Sequence, residues 1–120
     1  MKKNILMNPF RLFIIQYIIN PTFKEEVMRY IITESRLDDI FGKYIDSQYG
    51  LVWVKRLNQF NLPNGEPFGN IFEKHFYYAD TTDKNLLRSM FGDKADELMF
   101  AYIRKRFPNV RITGAEDYGL

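Results

Sequence analysis

Residues 51–79 read LVWVKRLNQFNLPNGEPFGNIFEKHFYYA, and the reading of this stretch separates an all-helical chain from a mixed one. Leu51-Val52-Trp53-Val54 is a short β-branched and aromatic run that suits a strand but also the start of a helix. From Asn58 to Asn70 the chain carries Pro63, Asn64-Gly65, Pro67 and Gly69, which is loop chemistry. Ile71 to Ala79 has no decisive period, and helix is the preferred reading. On this basis the stretch contributes at most one small strand.

On the C-terminal side, Thr81 or Thr82 caps a helix that ends at Gly92. Asp93 caps another that runs to Phe107 before Pro108. Val110 to Thr113 has strand composition and is the expected partner of 51–54. On the N-terminal side, Asn8-Pro9 starts a helix that Asn20-Pro21 stops at Ile19. Thr22-x-x-Glu25 is a capping box, opening a helix to about Glu34 with Phe23, Val27, Tyr30 and Ile31 on one stripe. Ser35 caps a further helix in which Leu37, Ile40, Phe41, Tyr44 and Ile45 keep the spacing of one buried face. The expected fold is mainly α: a small single-domain bundle of five to six helices over 1–113, with a minor two-stranded β element pairing 51–54 with 110–113. Residues 114–120 are expected to form an extended tail whose removal leaves the melting transition almost unchanged.

The chain has 120 residues, 46% hydrophobic and 27% charged, the balance of one folded domain. There is no cysteine and one histidine, His75. Disulfide scaffolds, cysteine zinc sites, iron–sulfur clusters and thiol catalysis are therefore excluded. No P-loop, dinucleotide fingerprint or Gly-x-Ser-x-Gly elbow is present. The carboxylates are placed for solubility; Asp93, Asp96 and Glu97 suit a helix N-terminus. No cofactor and no metal are expected. The apolar run from Phe10 to Ile19 is broken by Arg11 and Gln16, is about half of what a bilayer requires, and lacks a small-residue cleavage site. No membrane contact is expected, and the expected location is the cytoplasm, or a particle assembled there.

Aromatic residues are abundant, with eleven Phe, eight Tyr and one Trp. One reading is a core built from rings in place of leucines. The other is that some rings anchor protein contacts, as aromatics do at interfaces. The candidate interface residues are Phe10, Phe13 and Tyr17 on the nearly all-apolar first helix, Trp53, Phe60 and Phe68 in the 51–70 region, and Tyr118 in the tail.

The formal charge is +2, too small to imply a nucleic-acid footprint by itself. The 82–107 helical hairpin resembles a helix-turn-helix in outline, but the N-terminus of its second helix is acidic where a reading helix would meet DNA. A basic patch of Lys55, Arg56, Arg104, Lys105 and Arg106 is the milder form of the same alternative. A second alternative is a small enzyme using His75 with a carboxylate. The expected function is non-enzymatic: a structural or interaction subunit of a larger oligomeric assembly, such as a connector, adaptor or virion-type component. Its expected partners are other protein subunits, including copies of itself.

Overall fold

The computed structural model describes residues 34–119. Within them the chain forms helix α1 (Glu34–Gln48), strand β1 (Val52–Val54), a 3-10 turn (Lys55–Leu57), β2 (Gln59–Asn61), β3 (Pro67–Phe72) and β4 (His75–Tyr78). Helix α2 (Thr81–Phe91), a second 3-10 turn (Gly92–Lys94), α3 (Ala95–Arg106) and β5 (Gly114–Ala115) complete it. The expected helices over 9–19 and 22–34 lie outside the described residues.

The helical bundle is overturned. Four strands between Val52 and Tyr78 and a fifth at Gly114–Ala115 form a mixed sheet in the order β1-β2-β3-β4-β5, so this is a small α/β domain. The expected pairing of 51–54 with 110–113 is also replaced. β1 pairs antiparallel with β2, Trp53 opposite Phe60, whereas β5 runs parallel to β4, His75 opposite Gly114.

Local chemistry explains both misreadings. The 58–70 segment contains a hairpin around Asn64-Gly65, a dipeptide well suited to a tight strand reversal. Gly65 adopts φ 94°, and Leu62 N donates to Glu66 O at 2.8 Å to close the turn. Strand alternation across this hairpin is broken by a bulge. Phe60 lies opposite Gly69 and Asn61 opposite Pro67, so Phe68 is an extra residue that turns into the core.

The 71–79 segment is the second half of a β3–β4 hairpin. Phe72 faces His75, and the loop between them is Glu73-Lys74, with φ 51° and 64°. Two positive φ values suit the right-handed twist of a two-residue hairpin. They ordinarily advertise themselves as Asn or Gly, and Glu-Lys conceals them.

Register places Trp53, Phe60, Gly69, Ile71, Phe76 and Tyr78 on one face. That face and the helices share one core, in which Phe41, Ile45, Phe60, Phe68, Phe76, Leu87, Met99 and Ile103 are all but fully buried. The stripe expected in the 35–48 helix is the one used: Leu37, Ile40, Phe41 and Ile45 are buried. Rings make much of this core, with Phe41 and Phe91 4.9 Å apart, Tyr49 and Phe68 4.7 Å, and Phe60 and Phe107 5.0 Å. Among the described residues no helix is long and apolar enough to cross a membrane.

The C-terminal segment is built into this sheet. Thr113 N donates to Lys74 O at 2.6 Å and Glu116 N to Phe76 O at 2.7 Å. Ala115 is fully buried and Glu116 is 8% exposed. Deleting 114–120 is therefore expected to lower the melting temperature by several degrees, a reversal of the expectation for a free-running arm; thermal unfolding followed by circular dichroism reads it. Gly69→Ala should be destabilising by about 1–3 kcal/mol in urea unfolding, the range for overpacking a filled core, because the added methyl would collide with the Phe76 ring and the Tyr77 carbonyl.

Candidate functional site

His75 lies on the sheet face opposite the helices, yet it is 5% exposed. Its Nε2 sits 2.5 Å from the main-chain oxygen of Glu116. A carbonyl only accepts, so Nε2 carries the proton. A methyl at position 114 would meet the His75 ring and the carbonyl of Tyr118, which is why a glycine stands there. The ring of Tyr77 lies 5.1 Å away. His75 thus fastens the C-terminal segment to β4, and it lines neither of the two clefts described below.

A polar cluster continues from this point toward α2 and α3. Glu116 accepts from Tyr78 N at 2.7 Å through Oε2, and its Oε1 is 3.5 Å from Lys84 Nζ. One turn along α2, Arg88 grips Asp96 with Nε at 3.3 Å and Nη2 at 2.6 Å. The same Nη2 donates to Asp117 at 3.0 Å. Lys84 and Arg88 are spaced i, i+4 and share a helix face, so α2 presents two cations to the 116–117 turn. The hydrogen bonds that Arg88 donates to Asp96 raise its guanidinium pKa above the usual value, and the Asp96 and Asp117 charges act in the same direction. Asp96, read from sequence as a solubility charge at a helix start, is 8% exposed and structural. Its partner lies eight residues back across the Gly92 turn; the predicted hairpin was the available signal. No group of three or more His, Asp or Glu side chains among the described residues is placed to hold a metal ion.

The structure separates the residues expected to act together. Phe60 and Phe68 are fully buried and have no surface to offer a partner: they belong to the ring-built core. Tyr118 is 40% exposed, with its ring 5.5 Å from Phe100. Phe10, Phe13 and Tyr17 lie outside the described residues. The basic triplet is engaged within the chain. Arg104 lies over Phe100 and Arg106 over Phe107, while Lys105 is 3.9 Å from Asp39 and Arg106 3.8 Å from Asp46. Lys55 and Arg56 sit far along the chain in the first 3-10 turn, exposed.

Among the clefts lined by described residues, two open at the surface as follows. One, of about 370 Å³, lies between α1 and α3, and its cations Lys43, Lys105 and Arg106 are balanced by Asp38, Asp39 and Asp46. The other, of about 580 Å³, lies at the end of the core face of the sheet, where the chain leaves α3. Trp53, Ile71 and Val110 give it an apolar wall, and Lys55, Lys74 and Arg111 stand around it with a single carboxylate, Glu73. Sequence reasoning reached Trp53 and Lys55 but not Lys74 or Arg111, because only the folded sheet brings three distant segments, 53–58, 71–74 and 109–111, to one opening.

Burial favours the neutral form of four tyrosines among the described residues, Tyr44, Tyr49, Tyr78 and Tyr102. Burial raises the Tyr78 hydroxyl well above its ordinary value, with the charges of Asp96 and Glu116 adding to it; its oxygen has no hydrogen-bond partner among the described residues. Burial also raises Tyr49, beside Asp83. Tyr102 is raised by burial and by donating to Asp46 at 2.5 Å. Each binds its proton more tightly in the folded state than in the unfolded chain, where tyrosine titrates near about pH 10. Their contribution is complete below that pH and is lost as pH rises through and above it. The urea midpoint is therefore expected to fall above about pH 10, with tyrosinate absorbance appearing together with unfolding.

Comparison with protein-family models, with curated proteins and with solved structures finds no match for this chain.

Proposed function

We propose that this chain is a non-enzymatic interaction subunit that works within a larger oligomeric assembly, with copies of itself as the first partner. The observation that supports the reading is the open sheet edge. β1 is an outermost strand, and no described strand pairs with its outer side. Val52 on it is 49% exposed, and Leu57, just beyond, is 47% exposed. An edge left uncovered among the described residues and carrying apolar side chains is a template for another strand. Two copies can join such edges antiparallel and continue the sheet across the contact.

The use made of the polar residues fits a binding role. His75, Asp96 and Glu116 are committed to bonds that hold the C-terminal segment in place, rather than facing an open site. The helix-turn-helix alternative loses support from burial: Ala95, Asp96, Leu98, Met99, Tyr102 and Ile103 all face inward, so α3 is an inner helix, unlike one that enters a groove. A cysteine-free composition fits assembly in the cytoplasm.

Light scattering on the full chain across a concentration series tests this. A defined oligomer at micromolar concentration is expected. Val52→Lys should shift the mass toward the monomer while leaving the melting temperature within about a degree, since surface changes of this kind are usually worth less than about 0.5 kcal/mol. A strict monomer at every concentration would refute self-association through β1.

A further inference from the structure

We propose that the cleft beside Trp53 binds a nucleobase that carries a phosphate, with the base against the indole and the phosphate held by Lys55, Lys74 and Arg111. This goes beyond the self-association reading and does not depend on it.

The first argument is charge that has no internal use. Lys55, Lys74 and Arg111 are exposed, and none forms an ion pair among the described residues. On the helices several basic side chains are matched, Lys84 by Glu116, Arg88 by Asp96 and Lys105 by Asp39. Three unmatched cations around one opening, against one carboxylate, mark a place where an anion gains several charge-assisted contacts together.

The second argument is the wall. Trp53 packs on Phe60 with ring centroids 4.7 Å apart and also lines the cleft, with Ile71 and Val110 beside it. An indole backed by a buried ring is a rigid stacking platform for a base. Asn58 and Asn109 contribute amides to the same lining, and an amide both donates and accepts, as the edge of a base requires. The volume of about 580 Å³ is in the usual range for a site of this size.

The third argument is backbone conformation. Four residues other than glycine have positive φ among the described residues: Asn58, Glu73, Lys74 and Glu116. Three of them, Asn58, Glu73 and Lys74, line this cleft. The tight β3–β4 turn requires that conformation of Glu73 and Lys74, and the turn lies at the cleft. Here it places Lys74 at the rim, while its carbonyl anchors Thr113 beside Arg111.

A free nucleotide and a single strand share this chemistry. The full chain reports on both, because Trp53 is its one tryptophan. Indole fluorescence would be followed at low ionic strength against adenosine monophosphate, a short oligothymidylate, inorganic phosphate and hexaglutamate. Saturable quenching is expected. If the mononucleotide binds as tightly as the strand, the ligand is a free nucleotide. If the strand binds tightly and the mononucleotide weakly, the ligand is single-stranded, and the logarithm of affinity should fall against that of salt with a slope of about −2, roughly −0.7 for each of three phosphates. Lys55→Glu with Arg111→Glu should weaken either by about tenfold or more, with unchanged melting because both side chains are exposed. The proposal is overturned if neither base-bearing probe changes the Trp53 signal. It is also overturned if the double variant binds like the wild type, or if phosphate or hexaglutamate matches the base-bearing probes.

Discussion

The Phe76 ring lies over the bare backbone of Gly69, closer than any side chain at that position would permit. That approach lets β3 and β4 pair at full register, Gly69 opposite Tyr78 and Ile71 opposite Phe76. It also brings three phenylalanines into one layer, Phe76 standing 6.0 Å from Phe60 and 6.2 Å from Phe68. The bulge at Phe68 is the matching device, turning an extra ring inward where plain alternation would send it to solvent. Helices α1, α2 and α3 close over this layer, and the cluster formed is continuous through sheet and helices. Among the described residues most aromatic side chains belong to this core or pack against it: each large ring buries more area than an aliphatic side chain, and edge-on pairs add to that gain.

A second constraint keeps the layer in place. The C-terminal segment lies beside β4, fastened from below by the His75 imidazole and from the side by Lys84 and Arg88. A lone histidine invites a catalytic reading. Here a proton fixed on Nε2 is used to satisfy a buried carbonyl, an obligation that any buried main-chain group imposes. The carboxylates follow the same logic. Asp96 and Glu116 are tolerated at low exposure because each has partners, and an unpaired charge in those positions would be costly.

Two features have no strand partner or ion pair among the described residues. No described strand pairs with the outer side of β1, which carries Val52 exposed, and the cleft beside it is lined by an indole and three cations. Trp53 belongs to both, as a residue of the edge strand and as the wall of the cleft.

Periodic signals in the sequence were sufficient for the helices within the described residues. The stripe from Leu37 to Ile45, the Gly92 turn and the stop at Pro108 all depend on contacts a few residues apart, and α1, α2 and α3 follow them closely. The sheet was not legible in that way. Its strands are three to six residues long for β1 to β4, too short for alternation to stand out. One is bulged, and one hairpin turns on Glu-Lys in place of the usual Asn-Gly. The cleft was legible only in part, since Trp53 and Lys55 are distinctive locally whereas Lys74 and Arg111 are ordinary surface cations until the sheet joins their segments. Composition alone determined which chemistries were absent, because cysteine and a second histidine cannot be supplied by folding. The tertiary structure decided the fold class, the burial of Phe60 and Phe68 and the partners of His75 and Asp96, because each depends on pairing between segments far apart in the chain.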